Sequence, residues 1–220
     1  VDDRIVYSSA IASDDTTSAV GAILNDYNVT SIKFFTNAVS STTSGIDFVA
    51  SYSGLELGPG SLDLSIGFNT NSTELGDKIT TPKPISDSGA DIFDRKEQGR
   101  LISARPGNKF ILGLDYSMGN LTIGLNNTQF GEVTWQHGSD ESKDQTFSAK
   151  LINDLNVNYQ LNDNLSLNLA VNNLANAYPD VIDTKGDFVT DLGGRFEYPW
   201  EVNQFGFMGT NILGTVSYSF

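Results

Sequence analysis

Between Ser61 and Asn69 the chain alternates without a break. Leu62, Leu64, Ile66 and Phe68 fall on one side, and Ser61, Asp63, Ser65, Gly67 and Asn69 on the other. A helix would scatter these residues around its circumference, whereas a strand sorts them onto two faces. The same period recurs along the chain. Ile46, Phe48, Ala50 and Tyr52 alternate with Asp47, Val49, Ser51 and Ser53. Phe110, Leu112, Leu114 and Tyr116 alternate with Lys109, Ile111, Gly113 and Asp115. Leu121, Ile123 and Leu125 oppose Thr122 and Gly124. Leu151, Leu155, Val157 and Tyr159 oppose Asp154, Asn156, Asn158 and Gln160. Leu165, Leu167, Leu169 and Val171 oppose Ser166, Asn168, Ala170 and Asn172, and Ile212, Gly214, Val216, Tyr218 and Phe220 oppose Asn211, Thr215, Ser217 and Ser219. With a first strand near Arg4 to Ala12, the pattern predicts about eight strands.

The connections alternate in length. Short ones are expected at Gly54 to Gly60, Met118 to Asn120 and Leu161 to Asn164. Long ones are expected at Ser13 to Thr30, Thr73 to Gly107, Gln136 to Thr146 and Tyr178 to Gly209. Short turns on one side and long loops on the other describe an all-β, antiparallel up-and-down meander of the outer-membrane type. Thr17 to Leu24 is predicted to form one or two helical turns. The apolar faces end in aromatic residues, Tyr52, Phe68, Phe110, Tyr116, Phe147, Tyr159, Tyr218 and Phe220, as a membrane-interface girdle requires. Leu62, Leu64, Ile66, Phe68, Leu165, Leu167, Leu169, Val216 and Phe220 are expected to face lipid.

Apolar runs such as Phe110 to Leu114 fall far short of the roughly 20 residues of a membrane helix. A membrane strand needs only about 9–11 residues and alternates in polarity. With 13 Lys+Arg against 27 Asp+Glu the net charge is −14, which argues against nucleic acid and anionic membrane surfaces as partners. Cysteine is absent, so disulfides, thiolate zinc sites and cysteine nucleophiles are excluded. No signal peptide opens the chain, so a mature chain or a piece lacking its N-terminal part is expected.

No catalytic constellation is legible, and neither enzyme activity nor a cofactor is expected. His137 is the only histidine, which rules out histidine triads and paired-histidine metal sites. Asp14 and Asp15, and the group Asp140, Glu141 and Asp144, lack the spacing of a calcium loop and read as solvated loop residues. No glycine-rich stretch is followed by Lys-Ser/Thr and a helix, as a phosphate loop requires.

The last strand, Asn211-Ile-Leu-Gly-Thr-Val-Ser-Tyr-Ser-Phe220, resembles the terminal signal read by the barrel-assembly machinery, carried by Val216, Tyr218 and Phe220. Val171-Asn-Asn-Leu-Ala-Asn-Ala-Tyr-Pro-Asp180 resembles the penultimate-strand motif of TonB-dependent receptors. Asn203-Gln-Phe-Gly-Phe-Met-Gly209 resembles the stretch leading into their last strand. Phe34-Phe-Thr-Asn-Ala-Val39 with Thr43-Ser-Gly-Ile-Asp47 resembles another of their strands, and Ile92-Phe-Asp-Arg95 with Pro106 and Lys109 resembles a loop between. The chain departs from these patterns at Ala175, where Phe is usual, and at Met208-Gly-Thr-Asn-Ile, which replaces an aromatic-rich run.

The resemblance implies the C-terminal part of a 22-stranded transmembrane barrel over residues 1–220, an open curved sheet, with plug domain and N-terminal strands absent. It implies an active transporter in the bacterial outer membrane, energised through TonB by way of the missing N-terminal region. The cargo is a scarce ligand: an iron–siderophore complex, a cobalamin-like cofactor or a glycan. Outer-membrane lipid and the barrel-assembly machinery are the other expected partners. Aromatic and charged residues of the long loops, Arg95, Arg100, Arg195, Phe196, Tyr198 and Trp200, are candidate ligand contacts. Two other readings stand beside this one. One is a complete eight-stranded barrel acting as adhesin or anchor, although small inward Ser, Gly, Asn and Thr would fill its narrow interior poorly. The other is a soluble β-sandwich binding module.

Overall fold

The computed structural model describes residues 26–27, 39–78, 80–81, 91–183 and 196–220. Within them, alternation translates directly into strands: β1 (Val39–Leu57), β2 (Gly60–Lys78), β3 (Asn108–Met118), β4 (Leu121–Phe130), β5 (Val133–Trp135), β6 (Gln145–Phe147), β7 (Lys150–Asn162), β8 (Leu165–Asn172) and β9 (Asn211–Tyr218). Seven of them form one antiparallel sheet in the order β1-β2-β3-β4-β7-β8-β9, and β5 pairs with β6 in a separate ribbon. Each strand of the large sheet pairs with the next one along the chain within that sheet, as an up-and-down meander requires. The expected strand at Arg4 to Ala12 and the expected helical turns at Thr17 to Leu24 lie outside the described residues.

Turn chemistry sets the register at the short end. Leu57 pairs with Gly60 and Met118 with Leu121. Each two-residue turn therefore opens with a glycine, Gly58 at φ +58° and Gly119 at φ +55°. That is the first central position of a hairpin turn that an L side chain would strain. The first turn is tighter than the sequence suggested, because β1 continues through Leu57 rather than ending before Gly54.

Register places the apolar residues in continuous rows. Leu64 pairs with Leu114, Leu114 with Leu125, Leu125 with Leu155, Leu155 with Val171 and Val171 with Ile212. The opposite face collects Asp63, Asp115, Gly124, Asn156 and Ala170 in the same way. It bounds a hollow of about 250 Å³ lined by Ser65, Gly113, Asp115, Asn126 and Asn156, so the polar face is the concave one. The apolar face stays open: Ile66 is 38% exposed, Phe68 40%, Leu167 39%, Leu169 42%, Val216 69% and Phe220 109%. Leu62, Leu64 and Leu165 are half-buried, and none is a core residue. A sandwich would have covered this face.

The apolar band also crosses the sheet obliquely. On β1 it reaches up to Ile46, which pairs with Thr70, three two-residue steps above the Tyr52–Leu64 row. On β9 it stops at Ile212, in that same row, and runs down to Tyr218. Three such steps across six strand spacings give a slope of about 35° at roughly 3.4 Å per residue and 4.8 Å per strand. That matches the strand tilt of roughly 35–45° in outer-membrane barrels. Of the outward residues near this edge, Gln129 lies above it, Asn153 on it and Asn127 just below it, while Leu151 extends above it.

The packed core sits elsewhere, in the loops. Among the described residues Ala104, Val133, Trp135, Phe147, Ile182 and Val202 form one buried cluster, and of the sheet only Ile152 and Val171 are buried hydrophobics. Phe147 is accordingly no girdle residue: it is 2% exposed, because the ribbon β5–β6 turns it toward Trp135 in the cluster rather than outward.

Candidate functional site

The described parts of three long connections, residues 79–107, 131–149 and 173–210, gather at the end of the sheet opposite the tight turns. The first carries a helix, α1 (Arg95–Ile102), where the sequence suggested only loop. Asp94 caps it by accepting from the Glu97 N–H at 2.9 Å. Such a cap supplies a partner that the first turn otherwise lacks. The second carries the β5–β6 ribbon, whose tip holds a 3₁₀ turn (Glu141–Lys143) capped by Asp140.

Glu201, from the third connection, joins all three. Its side chain is 3% exposed. It accepts from the Trp135 indole N–H at 2.7 Å and from the Arg100 guanidinium, and Lys96 Nζ lies 3.3 Å away. Burial opposes ionisation of this carboxyl, but the indole and Arg100 outweigh it and hold the group below its ordinary value. Arg100 also pairs with Glu97 at 2.5 Å. Arg95 meets Asp144 through both guanidinium nitrogens, at 3.1 and 2.9 Å, and donates to the His137 carbonyl. The hydrogen bond from Arg95 holds the Asp144 carboxyl low. His137 is half-buried rather than free in solvent: its Nδ1 accepts from the N–H groups of Ser139 and Asp140.

The motif around Asn173 is a knot. Asn173 and Asn176 take positive φ, 52° and 53°, a conformation that asparagine tolerates better than most residues. Asn173 exchanges two 2.8 Å hydrogen bonds with Ala177. Thr210, just before β9, donates to the Asn173 carbonyl and to the Asn176 side chain. Asp180 accepts from Ser148 at 2.6 Å and from Lys150 at 2.5 Å. Burial raises the Asp180 carboxyl, and Lys150 and Ser148 more than reverse it. These contacts bind the exit of β8 to the starts of β7 and β9.

Of the sequence candidates, Arg95 and Arg100 are thus engaged within the cap. Phe196 and Trp200 are 53% and 49% exposed, with ring centroids 6.4 Å apart. Tyr198 is sandwiched between Tyr178 and Phe207, at 5.7 and 5.8 Å in near-parallel stacks. Arg195 lies outside the described residues. Val216, Tyr218 and Phe220 are exposed on the apolar side of the terminal strand, with the Tyr218 and Phe220 rings 6.3 Å apart. Sequence reasoning missed Glu201 and Gln204 as organising residues. Gln204 lies within the Asn203–Gly209 motif, but a lone acid in an acidic loop gives no signal of burial.

The last connection also lies over the polar face. A cleft of about 420 Å³ separates Phe205 and Met208 from strand residues Lys109, Phe130 and Ile152. Thr128 and Ile152, 7% and 9% exposed, are covered there. The site therefore comprises an outer aromatic surface, a salt-bridged cap and a cleft facing inward.

Comparison with known proteins gives this arrangement a context. The model of the family described as TonB dependent receptor-like, beta-barrel, matches residues 1–174. The comparison with curated proteins found no match. The ferripyoverdine receptor of the Pseudomonas aeruginosa outer membrane, solved with ferripyoverdine, is 17% identical, with 90% of this chain and 22% of that chain covered and a TM-score of 0.49. The pyoverdine outer membrane receptor FpvA from Pseudomonas aeruginosa PAO1, bound to pyoverdine, is 15% identical over 83% of this chain and 22% of that one, at a TM-score of 0.49. The FpvAI–pyocin S2 complex gives 17% identity, 82% and 20% coverage, and a TM-score of 0.47. The chain spans about a fifth of the length of these solved chains.

Proposed function

Because this chain belongs to the TonB-dependent receptor β-barrel family, we propose that it forms the C-terminal wall and outer loops of an outer-membrane active transporter. The observation that carries this reading is a sheet with one open apolar face and one polar concave face, tight turns at one end and packed loops at the other. Such a wall meets lipid outside and water inside. Among the described residues β9 pairs only with β8, so its outer edge is free for a further strand of a wider barrel. Unpaired backbone groups in lipid cost several kcal/mol each, which favours closure by strands beyond this chain over an open edge.

In this reading the loop cap faces the cell exterior and the cleft faces the lumen. The cargo is a scarce ligand of the iron–siderophore, cobalamin-like or glycan class, and TonB supplies the energy through a region outside this chain. Phe196, Tyr198 and Trp200 remain the outer ligand contacts, while Arg95 and Arg100 act by holding the loops that present them. Val216, Tyr218 and Phe220 serve as the assembly signal.

Energised uptake tests the reading. Cells carrying the full-length gene should accumulate the labelled ligand, and deletion of the tonB function or collapse of the proton gradient should abolish accumulation while leaving surface binding intact. Accumulation indifferent to both would refute it.

A further inference from the structure

The cleft beneath the last connection has two properties that the transport reading does not by itself require. Its loop wall is fastened. Gln204, 9% exposed and next to Phe205, donates through Nε2 to the Gly131 carbonyl at 2.7 Å and the Ser148 carbonyl at 2.8 Å. Gly131 follows β4 and Ser148 precedes β7, so one amide pins the wall to both neighbouring strands. Phe205 then reaches Phe130 across the cleft, with centroids 5.9 Å apart.

The second property is an unmatched charge. Lys109 stands on the polar face with Nζ 5.1 Å from the Phe130 ring centroid. Four other cations of this region are paired, Arg95 with Asp144, Arg100 and Lys96 with Glu201, and Lys150 with Asp180, and Arg105 donates to the Ala104 and Glu201 carbonyls. Among the described residues Lys109 has no ion-pair partner. The other charged residue of the cleft, Asp154, already accepts from the Asn173 N–H at 2.7 Å. An ammonium resting on an aromatic face keeps N–H donors for an anion, and a charge-assisted hydrogen bond is stronger in a half-enclosed site than in water.

We propose that this cleft binds the anionic group of a ligand that also carries a flat apolar body. Lys109 meets the charge, Phe130 and Phe205 form the wall, and Gln204 is a positioning residue that keeps the wall in place. The inference rests on the transporter reading and names the ligand chemistry of its inward-facing site.

The test uses the full-length receptor in outer-membrane vesicles, with 2-naphthoate as probe and 2-naphthylmethylammonium as its cationic counterpart, followed by saturation-transfer NMR. The receptor should bind naphthoate in preference to the amine. Lys109→Gln should weaken naphthoate binding about tenfold or more, the scale of a lost hydrogen bond to a charged group, while Lys109→Arg retains it. Gln204→Leu should weaken it with Lys109 intact. Heat-modifiable migration on a gel checks that each variant is a folded barrel. Naphthoate binding equal in the wild type and Lys109→Gln, absent from the folded wild type, or replaced by amine binding that Asp154→Asn removes would overturn the proposal. Energised uptake is measured separately, so a receptor that transports its ligand yet binds naphthoate regardless of residue 109 sinks this inference and leaves the transporter reading standing.

Discussion

Glu201 is a carboxylate whose side chain is 3% exposed, and it stays charged because three donors from two other loops surround it. Removing one partner of such a group leaves the others stranded, at a cost of about 3–5 kcal/mol when the pair is fully buried. Arg100 is 40% exposed, so solvent screening brings the cost below that range. Glu201→Leu is expected to destabilise the loop cap by about 2–3 kcal/mol without unfolding the sheet. Hydrogen exchange should show faster exchange in α1 and β5, and unchanged exchange in β3 and β4. The carboxyls of Glu201, Asp144 and Asp180 are all held below their ordinary values. A depressed carboxyl stabilises the fold above its unfolded pKa, and that stability is lost as pH falls through the folded value. The cap should therefore resist limited proteolysis at and above about pH 5 and open below the ordinary carboxyl range of about 4, while the barrel strands remain protected.

At the scale of the strand, one residue decides between lipid and lumen. Ile66 and Ser65 are neighbours in β2 on opposite faces. A basic residue on the lipid side costs about 2–4 kcal/mol near the bilayer midplane and little on the lumenal side. Ile66→Arg should lower the urea-unfolding free energy of the refolded full-length barrel by that order, and Ser65→Arg should leave it nearly unchanged. Equal effects would mean that the two faces are not in different solvents. The terminal strand has its own expected outcome. Phe220→Ala combined with Tyr218→Ala should reduce the amount of heat-modifiable barrel reaching the membrane, with the folded fraction keeping its stability. A drop in stability instead would assign these rings to packing rather than to recognition.

For the molecule as a whole, the described residues invert the usual arrangement. Its buried cluster lies in the connections, and its sheet turns apolar side chains outward. That inversion suits membership of an outer-membrane family, where lipid takes the place of a core. Expressed alone in detergent, the 220-residue chain should not give a compact heat-resistant barrel, because a sheet with a free edge is a poor end state in lipid. A sharp folded band from this chain alone would instead favour the eight-stranded alternative.

Strand identity, facing and the order of short and long connections were legible because each depends on nearby residues. Period two fixes which side of a pleat a residue occupies, and Gly58 and Gly119 fix where the pleat reverses. Even the asparagines of the β8 exit signal their role, since asparagine readily takes the positive φ found at Asn173 and Asn176. The loop cap was not legible in this way. Helix α1 looks like loop in the sequence because its apolar residues are few and its capping Asp94 is one acid among many. Phe147 reads as a girdle residue in the sequence because an aromatic near a strand end looks the same whether lipid or Trp135 awaits it. Glu201 and Lys109 carry no local sign that one is enclosed by cations while the other, among the described residues, has no ion-pair partner. Burial and pairing of a charge depend on what distant segments bring within a few ångströms, and only the tertiary structure decides that.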